Sequence, residues 1–458
     1  SMITGSPAVT VRLWIRASGV SPCRRTAASD ATSTPLAPSQ IWLAVAALSP
    51  LLPLYLAAAM AGFARWRSGV PWRDAGLFAA LWLLAELARG VIFTGFPWVA
   101  SGYAQVDAPL ARLAPWIGVY GIGFVAAVLA GWMAFAWTAG LRRFAVAAVG
   151  TALVLSALAF APAAVFTQPT GTLGLTLLQG NIPQEEKFAS EHQAAALEWH
   201  GQQLLQARTR LVVAPETALP FFPQQLPPGF WETLKQRFAE GDSYVLFGMP
   251  LGDETAGYTN SVVGIAPGGA EYRYDKYHLL PFAEFIPTGF RWFTQLMNIP
   301  LGDFDRGTLG APAFAVDGQR VAPNICYEDL FGEEIAAGFT EAARAPTILV
   351  NLSNIGWFGD TIAVAQHLNI SRMRTLEFER PMLRATNTGA TAVIDHRGAV
   401  NASLKPYTRG VLEASVQGRD GLTPFARWAS AFGLWPLWLL GAGLPLLLRA
   451  LPRRNTQP

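Results

Sequence analysis

The chain has 458 residues, of which 52% are apolar and only 14% are charged, and its mean hydropathy is +0.28. That balance is too apolar for an ordinary water-soluble protein, and a net charge of +3 is too small to argue for nucleic acid as a partner. Its two cysteines, Cys23 and Cys326, stand far apart in unlike surroundings, which argues against a structural disulfide; no Cys-x-x-Cys pair or close pair of histidines suggests a metal.

Residues 1–40 scatter Arg12, Arg16, Arg24 and Arg25 among Ser, Thr, Ala and Pro without sustained periodicity. They read as an atypical, disordered N-terminal segment; no long apolar core follows the first arginines, as a secretory signal would require. Residues 41–166 hold four apolar stretches long enough to cross a bilayer: Ile41 to Ala64, Asp74 to Trp98, Leu113 to Leu141, and Phe144 to Phe166. A fifth, Trp428 to Leu448, lies in a closing segment of residues 428–458 with a basic tail. Arg65, Arg67 and Arg73, then Arg142 and Arg143, then Arg449, Arg453 and Arg454 all fall on one side of these spans. The positive-inside rule makes that side cytoplasmic and puts residues 167–427 on the outer face. Arginines before the first span vote the other way, as they would if spans were missing in front of it. Glu86 and Arg89, three residues apart within the second span, share a helical face; they suit an internal ion pair or a place near a lipid headgroup.

Residues 167–427 alternate strands with helices, as one continuous α/β domain does. Strands are expected at Leu173–Leu178, Leu211–Ala214, Tyr244–Met249, Asn260–Ile265, Val321–Ile325, Thr347–Leu352 and Ala390–Ile394. Helices are expected at Glu191–Arg208, Phe230–Glu240 and Ile362–Glu379. Between Phe285 and Phe304, aromatic and aliphatic residues are broken by Pro287, Gly289, Pro300 and Gly302, a pattern suited to a membrane-facing lid.

Three polar points stand out in this domain. Cys326 ends an apolar run from Val316 to Ile325, broken by a turn at Asp317-Gly318, so its thiol would sit at the carboxyl end of a strand. Glu216 follows the run Leu211 to Ala214 in the same way, and Lys276 sits among aromatic and apolar residues eight positions before Glu284. A cation near a thiol favours the thiolate, a carboxylate can carry the proton, and an ammonium can stabilise an oxyanion. Each residue also has a plainer reading: a buried small hydrophobe for the cysteine, and solvated strand-end or turn positions for the other two. A Cys-His dyad using His278 or His367 is the competing arrangement.

Glu, Lys and Cys in this order on three strand-like segments resemble the nitrilase, or carbon-nitrogen hydrolase, superfamily. The stretches Gln179-Gly180-Asn181-Ile182-Pro183-Gln184, Pro215-Glu216-Thr217-Ala218, Lys276 to Pro287 and Ile325-Cys326-Tyr327-Glu328 resemble the apolipoprotein N-acyltransferase family within it. So do Asn351-Leu352-Ser353-Asn354, Trp357-Phe358-Gly359 and Gly421 to Arg427. The resemblance runs from about Ile41 to the end and implies a membrane α-helical bundle plus a nitrilase-like αββα sandwich inserted before the last transmembrane helix. It implies a cysteine nucleophile at Cys326, a general base at Glu216 and an electrostatic partner at Lys276, with Glu284, Tyr327, Glu328, Phe188 and Trp357 as substrate-binding or supporting residues. No cofactor is implied. The donor would be a phospholipid in the bilayer, and the acceptor the free amino group of a diacylglyceryl-cysteine at an apolipoprotein's N-terminus. The location would be a bacterial inner membrane, with the catalytic domain in the periplasm. Two alternatives stay open: a membrane-tethered amidase and a non-catalytic lipid-binding protein. The family usually has seven helices ahead of the domain, against four here; it often has tryptophan where Phe188 stands, and an acid where Ile355 follows Ser353-Asn354.

Overall fold

The computed structural model describes residues 51–182, 190–253, 255–281, 283–286 and 303–451. Residues 1–40, the first part of the stretch Ile41 to Ala64, Phe188 and most of the segment Phe285 to Phe304 therefore lie outside the described residues.

The helical part begins with α1 (Leu51–Trp66), α2 (Pro71–Val91), α3 (Ala114–Thr138) and α4 (Leu141–Phe160). Helix α2 stops well short of Trp98, where hydropathy alone would carry it, because Phe93, Thr94 and Gly95 all adopt positive φ. The connector then runs as short 3-10 turns that fold back over the end of the helix. Helix α3 is broken at Gly118, whose φ of 65° suits glycine, and the ring of Phe425 occupies the space where a side chain would go. Glu377 closes the break by accepting the Val119 N–H at 2.7 Å, as a cap does at the start of a helix. Among the described residues, Pro71–Thr94, Pro109–Thr138 and Leu141–Phe160 are long and apolar enough to cross a membrane. Helix α4 turns Val146, Val149, Leu153 and Phe160 outward, a face that only an apolar surrounding would cover favourably. Glu86 and Arg89 are both buried and 3.8 Å apart, and Glu86 also accepts the Ser101 N–H, so they form an internal pair.

The α/β part follows in the order β1 (Thr167–Gln179), α5 (Ser190–Gln206), β2 (Leu211–Val213), α6 (Phe230–Ala239), β3 (Tyr244–Asp253), β4 (Gly257–Ile265) and β5 (Glu271–Asp275). Next come β6 (Phe314–Val316), β7 (Gln319–Ile325), α7 (Gly332–Ala336), β8 (Ile348–Ser353) and α8 (Ile362–Phe378). The strands end with β9 (Met382–Thr386), β10 (Ala392–Ile394), β11 (Val400–Ser403) and β12 (Gly410–Gly421). They form two six-stranded sheets, β12-β1-β2-β3-β4-β5 and β11-β10-β9-β8-β7-β6. Each sheet has two parallel pairings, β1-β2-β3 and β7-β8-β9, flanked by antiparallel ones, so the two halves repeat one design.

Alternate side chains explain how the sheets stack. Leu173, Leu175 and Leu177 of β1 face the same core as Val321 and Ile325 of β7 and Ile348, Val350 and Leu352 of β8. The opposite face of β3, through Val245 and Phe247, packs on Phe230, Leu234 and Phe238 of α6. Leu349 and Met382 of the second sheet pack on Phe378 of α8. These are the αββα layers. Strands β1 and β12 pair over their whole length, with Thr167 opposite Gly421, so the chain enters and leaves the sandwich side by side.

After β12 come α9 (Pro424–Phe432) and α10 (Trp435–Ala450), bent by 88° at Gly433. The closing apolar stretch is thus two helices: Trp428 belongs to α9, and α10 starts at Trp435.

Gly118→Ala should lower the thermal midpoint of the detergent-solubilised protein. A β-carbon there would lie 2.3 Å from Phe425 and would force a strained φ costing about 1–3 kcal/mol. An unchanged midpoint would contradict this account of the α3 break.

Candidate active site

The polar groups gather where the carboxyl ends of parallel strands from both sheets meet, the edge at which open α/β sheets hold ligands. Strand β2 ends at Val213 and delivers Glu216 three residues on. Gly248 of β3 makes this possible, since a β-carbon there would fall 2.6 Å from the Glu216 Cα and 2.5 Å from the Thr217 nitrogen. Glu216 is buried and doubly held: one oxygen accepts the Asn260 side-chain amide at 2.8 Å, the other the Asn354 backbone N–H at 2.9 Å. Thr217 beside it has φ of 52°.

Lys276 follows β5, with its backbone N–H bonded to the Asn260 carbonyl. Its ammonium is buried, 2.8 Å from one Glu284 oxygen, 2.9 Å from the other and 3.7 Å from Glu216. Burial works against its charge, but the carboxylates of Glu284 and Glu216 outweigh it and raise the lysine above its ordinary pKa. Glu284 is fixed by the Leu280 N–H at 2.8 Å and by the same Asn260 amide that holds Glu216. One asparagine therefore ties both carboxylates together around one cation.

Cys326 opens a 3-10 turn immediately after β7, with φ of 52°, a conformation that costs a side-chain-bearing residue and projects it from the strand end. Burial and the negative charge of Glu216 push the thiol up to about 12, while Lys276 and the Ser353 hydroxyl pull it down. At neutral pH the resting sulfur is therefore protonated. Moving its proton to Glu216 removes the opposing charge in the same step and leaves the thiolate facing the ammonium. Glu216, Lys276, Glu284 and Cys326 all line one cavity of about 210 Å³. Its other walls are mainly apolar: Leu280, Phe304, Ile355 and Phe358, with Phe96 and Trp98 from the connector after α2.

Of the remaining residues singled out in the sequence, Tyr327 lines the cavity and donates its hydroxyl to the Gly95 carbonyl at 2.9 Å, joining the cysteine turn to the helical part. Glu328 does not line it. Its carboxylate accepts the backbone N–H groups of Ile325, Tyr277 and His278 and the Tyr274 hydroxyl, at 2.6 to 3.1 Å, so it clamps the lysine segment against the cysteine turn. Trp357 falls in the turn Ile355–Phe358, but its side chain, like all of Phe188, lies outside the described residues.

The histidines are occupied elsewhere. His367 lines the cavity, yet one ring nitrogen bonds Asp329 at 2.8 Å and the other accepts from Arg384 at 3.1 Å. His278 bonds Glu334 and stacks on Phe331, outside the cavity. Asp329, three residues after the cysteine and fully buried, also binds Arg384 and the Ser371 hydroxyl. Asn260, Asn354 and this Asp329 group were missed by sequence reasoning. Asn260 stands at the start of an expected strand and Asp329 inside the cysteine stretch, but neither has a local pattern that marks a partner.

The sandwich and its site define a carbon-nitrogen hydrolase by class: the family described as "Carbon-nitrogen hydrolase" matches residues 174–422. A second, "Apolipoprotein N-acyltransferase N-terminal domain", matches residues 29–132. The chain is 54% identical over 418 residues to the apolipoprotein N-acyltransferase of Verminephrobacter eiseniae, covering 85% of this chain and 77% of that protein. It is 49% identical over 387 residues to that of Ralstonia nicotianae, covering 83% and 71%. Against that of Nitrosomonas europaea it is 42% identical over 384 residues, covering 81% and 75%. This chain belongs to the apolipoprotein N-acyltransferase family.

Two expectations follow from the geometry. The pH profile of Cys326 alkylation by iodoacetamide, read by peptide mass mapping, should move toward lower pH in Glu216→Gln, which removes a negative charge, and toward higher pH in Lys276→Met. Coincident profiles would contradict the electrostatics. Asp329→Asn leaves Arg384 buried without its counter-charge and should cost about 3–5 kcal/mol, read as a lowered thermal midpoint; an unchanged midpoint would show that the ion pair is not needed.

Proposed function

We propose that this chain is the membrane acyltransferase of lipoprotein maturation, taking an acyl chain from a phospholipid and passing it to the α-amino group of an apolipoprotein's N-terminal diacylglyceryl-cysteine. The observation that carries the reading is the joint presence of Glu216, Lys276 and Cys326 on one largely apolar cavity. Family membership supports the reaction, since the relatives' name gives N-acyl transfer to an apolipoprotein.

In the first half-reaction Glu216 takes the Cys326 proton, and the thiolate attacks the ester carbonyl of the phospholipid. Lys276 balances the negative oxygen of the tetrahedral intermediate, with Glu284 fixing the ammonium in place and the Asn260 amide holding the carboxylates of Glu284 and Glu216. The intermediate collapses by breaking the bond to the glycerol oxygen, which takes the proton back from Glu216 and leaves as a lysophospholipid. A thioester remains on Cys326. In the second half-reaction the lipoprotein amine attacks that thioester, loses a proton to Glu216, and forms an amide as the cysteine leaves and is reprotonated. Phe96 and Trp98 lead from the helical part into the cavity, a route by which an acyl chain reaches the sulfur without crossing water.

The apolar helices span a bacterial plasma membrane as a multi-pass bundle, and the sandwich lies between the fourth helix and the closing α9–α10 segment, on the outer, periplasmic side. The arginines around α1, α2 and α10 support that orientation. Both substrates are anchored in the bilayer, so a catalytic domain held at its surface meets them there.

Incubating the reconstituted protein with a phospholipid and a diacylated lipopeptide should give N-acyl lipopeptide. Lys276→Met should lose about 10²–10³-fold in rate, the scale for one oxyanion-stabilising group. Release of free fatty acid without N-acylation would overturn the reading in favour of hydrolysis.

A further inference from the structure

Helix α2 links two sites. One end leads through the connector to Phe96 and Trp98 in the catalytic cavity; the other, 21 residues away, opens on a separate cavity of about 490 Å³. At about 1.5 Å per residue the two lie roughly 30 Å apart, one hydrocarbon thickness. This second cavity is formed by the end of α1, the start of α2 and the end of α10, and it gathers Arg65, Arg67, Arg73 and Arg449. Its one acid, Asp74, is already occupied: it accepts the Ser68 N–H and hydroxyl and the Gly69 N–H, at 2.6 to 2.9 Å. Positive charge therefore dominates a concave surface.

The arginines are held by more than charge. The Arg449 guanidinium lies over the Trp66 ring at 5.7 Å, and Arg73 lies over Trp72 at 5.2 Å while donating to the Leu451 carbonyl at 3.3 Å. Both tryptophans are exposed, at 41% and 52%, as rings at the headgroup level of a membrane are. Arg65, Arg67 and Arg449 are themselves exposed, ready to meet a ligand. Trp66 in the wall, four arginines of which Arg73 and Arg449 are seated over indole rings, and apolar Leu77, Pro445 and Leu448 match one kind of occupant: a phospholipid whose headgroup bears net negative charge and whose acyl chains run along α2 and α10. We propose that this pocket binds an anionic phospholipid in the leaflet opposite the catalytic domain, bridging α1, α2 and α10.

The proposal rests on the membrane placement given above. The full chain is reconstituted into nanodiscs of neutral phosphatidylcholine with a minor share of phosphatidylglycerol or cardiolipin, extracted, and its retained lipids are counted by native mass spectrometry. Wild type should keep the anionic lipid in preference to the neutral one. An Arg65→Gln, Arg67→Gln, Arg449→Gln triple variant should lose that preference by roughly a hundredfold, about fivefold per arginine. Its N-acyl transfer with saturating substrates should persist, which shows that the variant is folded. Equal retention by the variant and wild type would overturn the pocket alone, as would displacement of the lipid by millimolar inorganic phosphate, which would mark a simple anion site. Failure of the wild type to enter nanodiscs would overturn the membrane placement and the pocket together.

Discussion

One buried ammonium shared by two carboxylates is the constraint on which the site depends. Lys276 has left water, and its charge is tolerated only because Glu284 and Glu216 surround it and Asn260 holds both. The arrangement is unequal by design of the fold. Glu284 is nearer and meets the ammonium with both oxygens, so it acts as the permanent counter-ion; Glu216 is farther from the lysine and lines the same cavity as the thiol. In the proposed reaction, neutralising Glu216 with the cysteine proton leaves the ammonium with its nearer partner and a new negative sulfur. The site's net charge is unchanged by that transfer, which is why it can occur inside an apolar cavity.

The same economy holds at the junction of the helical part and the sandwich. Tyr327, next to Cys326, reaches back to Gly95; Glu377 of α8 closes the broken α3 at Val119; Trp98 stacks on His367 and bonds Gln366. Each contact joins one element of the helices to one of the catalytic domain through a buried or half-buried polar bond. The paired strands β1 and β12 bring both chain crossings to one place, so the cavity stands at a fixed height over the helices.

Much of this was legible in the sequence, for reasons that differ by element. Strands β2 and β8 are short runs buried along their whole length, and the apolar second half of β1 and the end of β7 are buried in the same way, so polar residues such as Glu216 stand out where such runs stop. Strand β12 was hidden because it lies at the edge of its sheet, where Glu413 and Gln417 alternate with small residues. Strand β9 carries Arg384, a residue that argues against a buried strand until Asp329, 55 positions earlier, is seen to neutralise it. The span ends were misplaced for a backbone reason: the chain turns at Phe93 to Gly95 and at Gly433 through positive φ, which hydropathy does not register. Phe96 and Trp98, apolar enough to pass for the end of a span, instead line the cavity.

The most direct test of the central claim is the intact mass of the protein after exposure to a phospholipid of one defined acyl composition. The account predicts a single added acyl group, mapped to Cys326 and released by neutral hydroxylamine, and its near absence in a folded Lys276→Met variant. An adduct elsewhere, or one formed undiminished without the lysine, would contradict it.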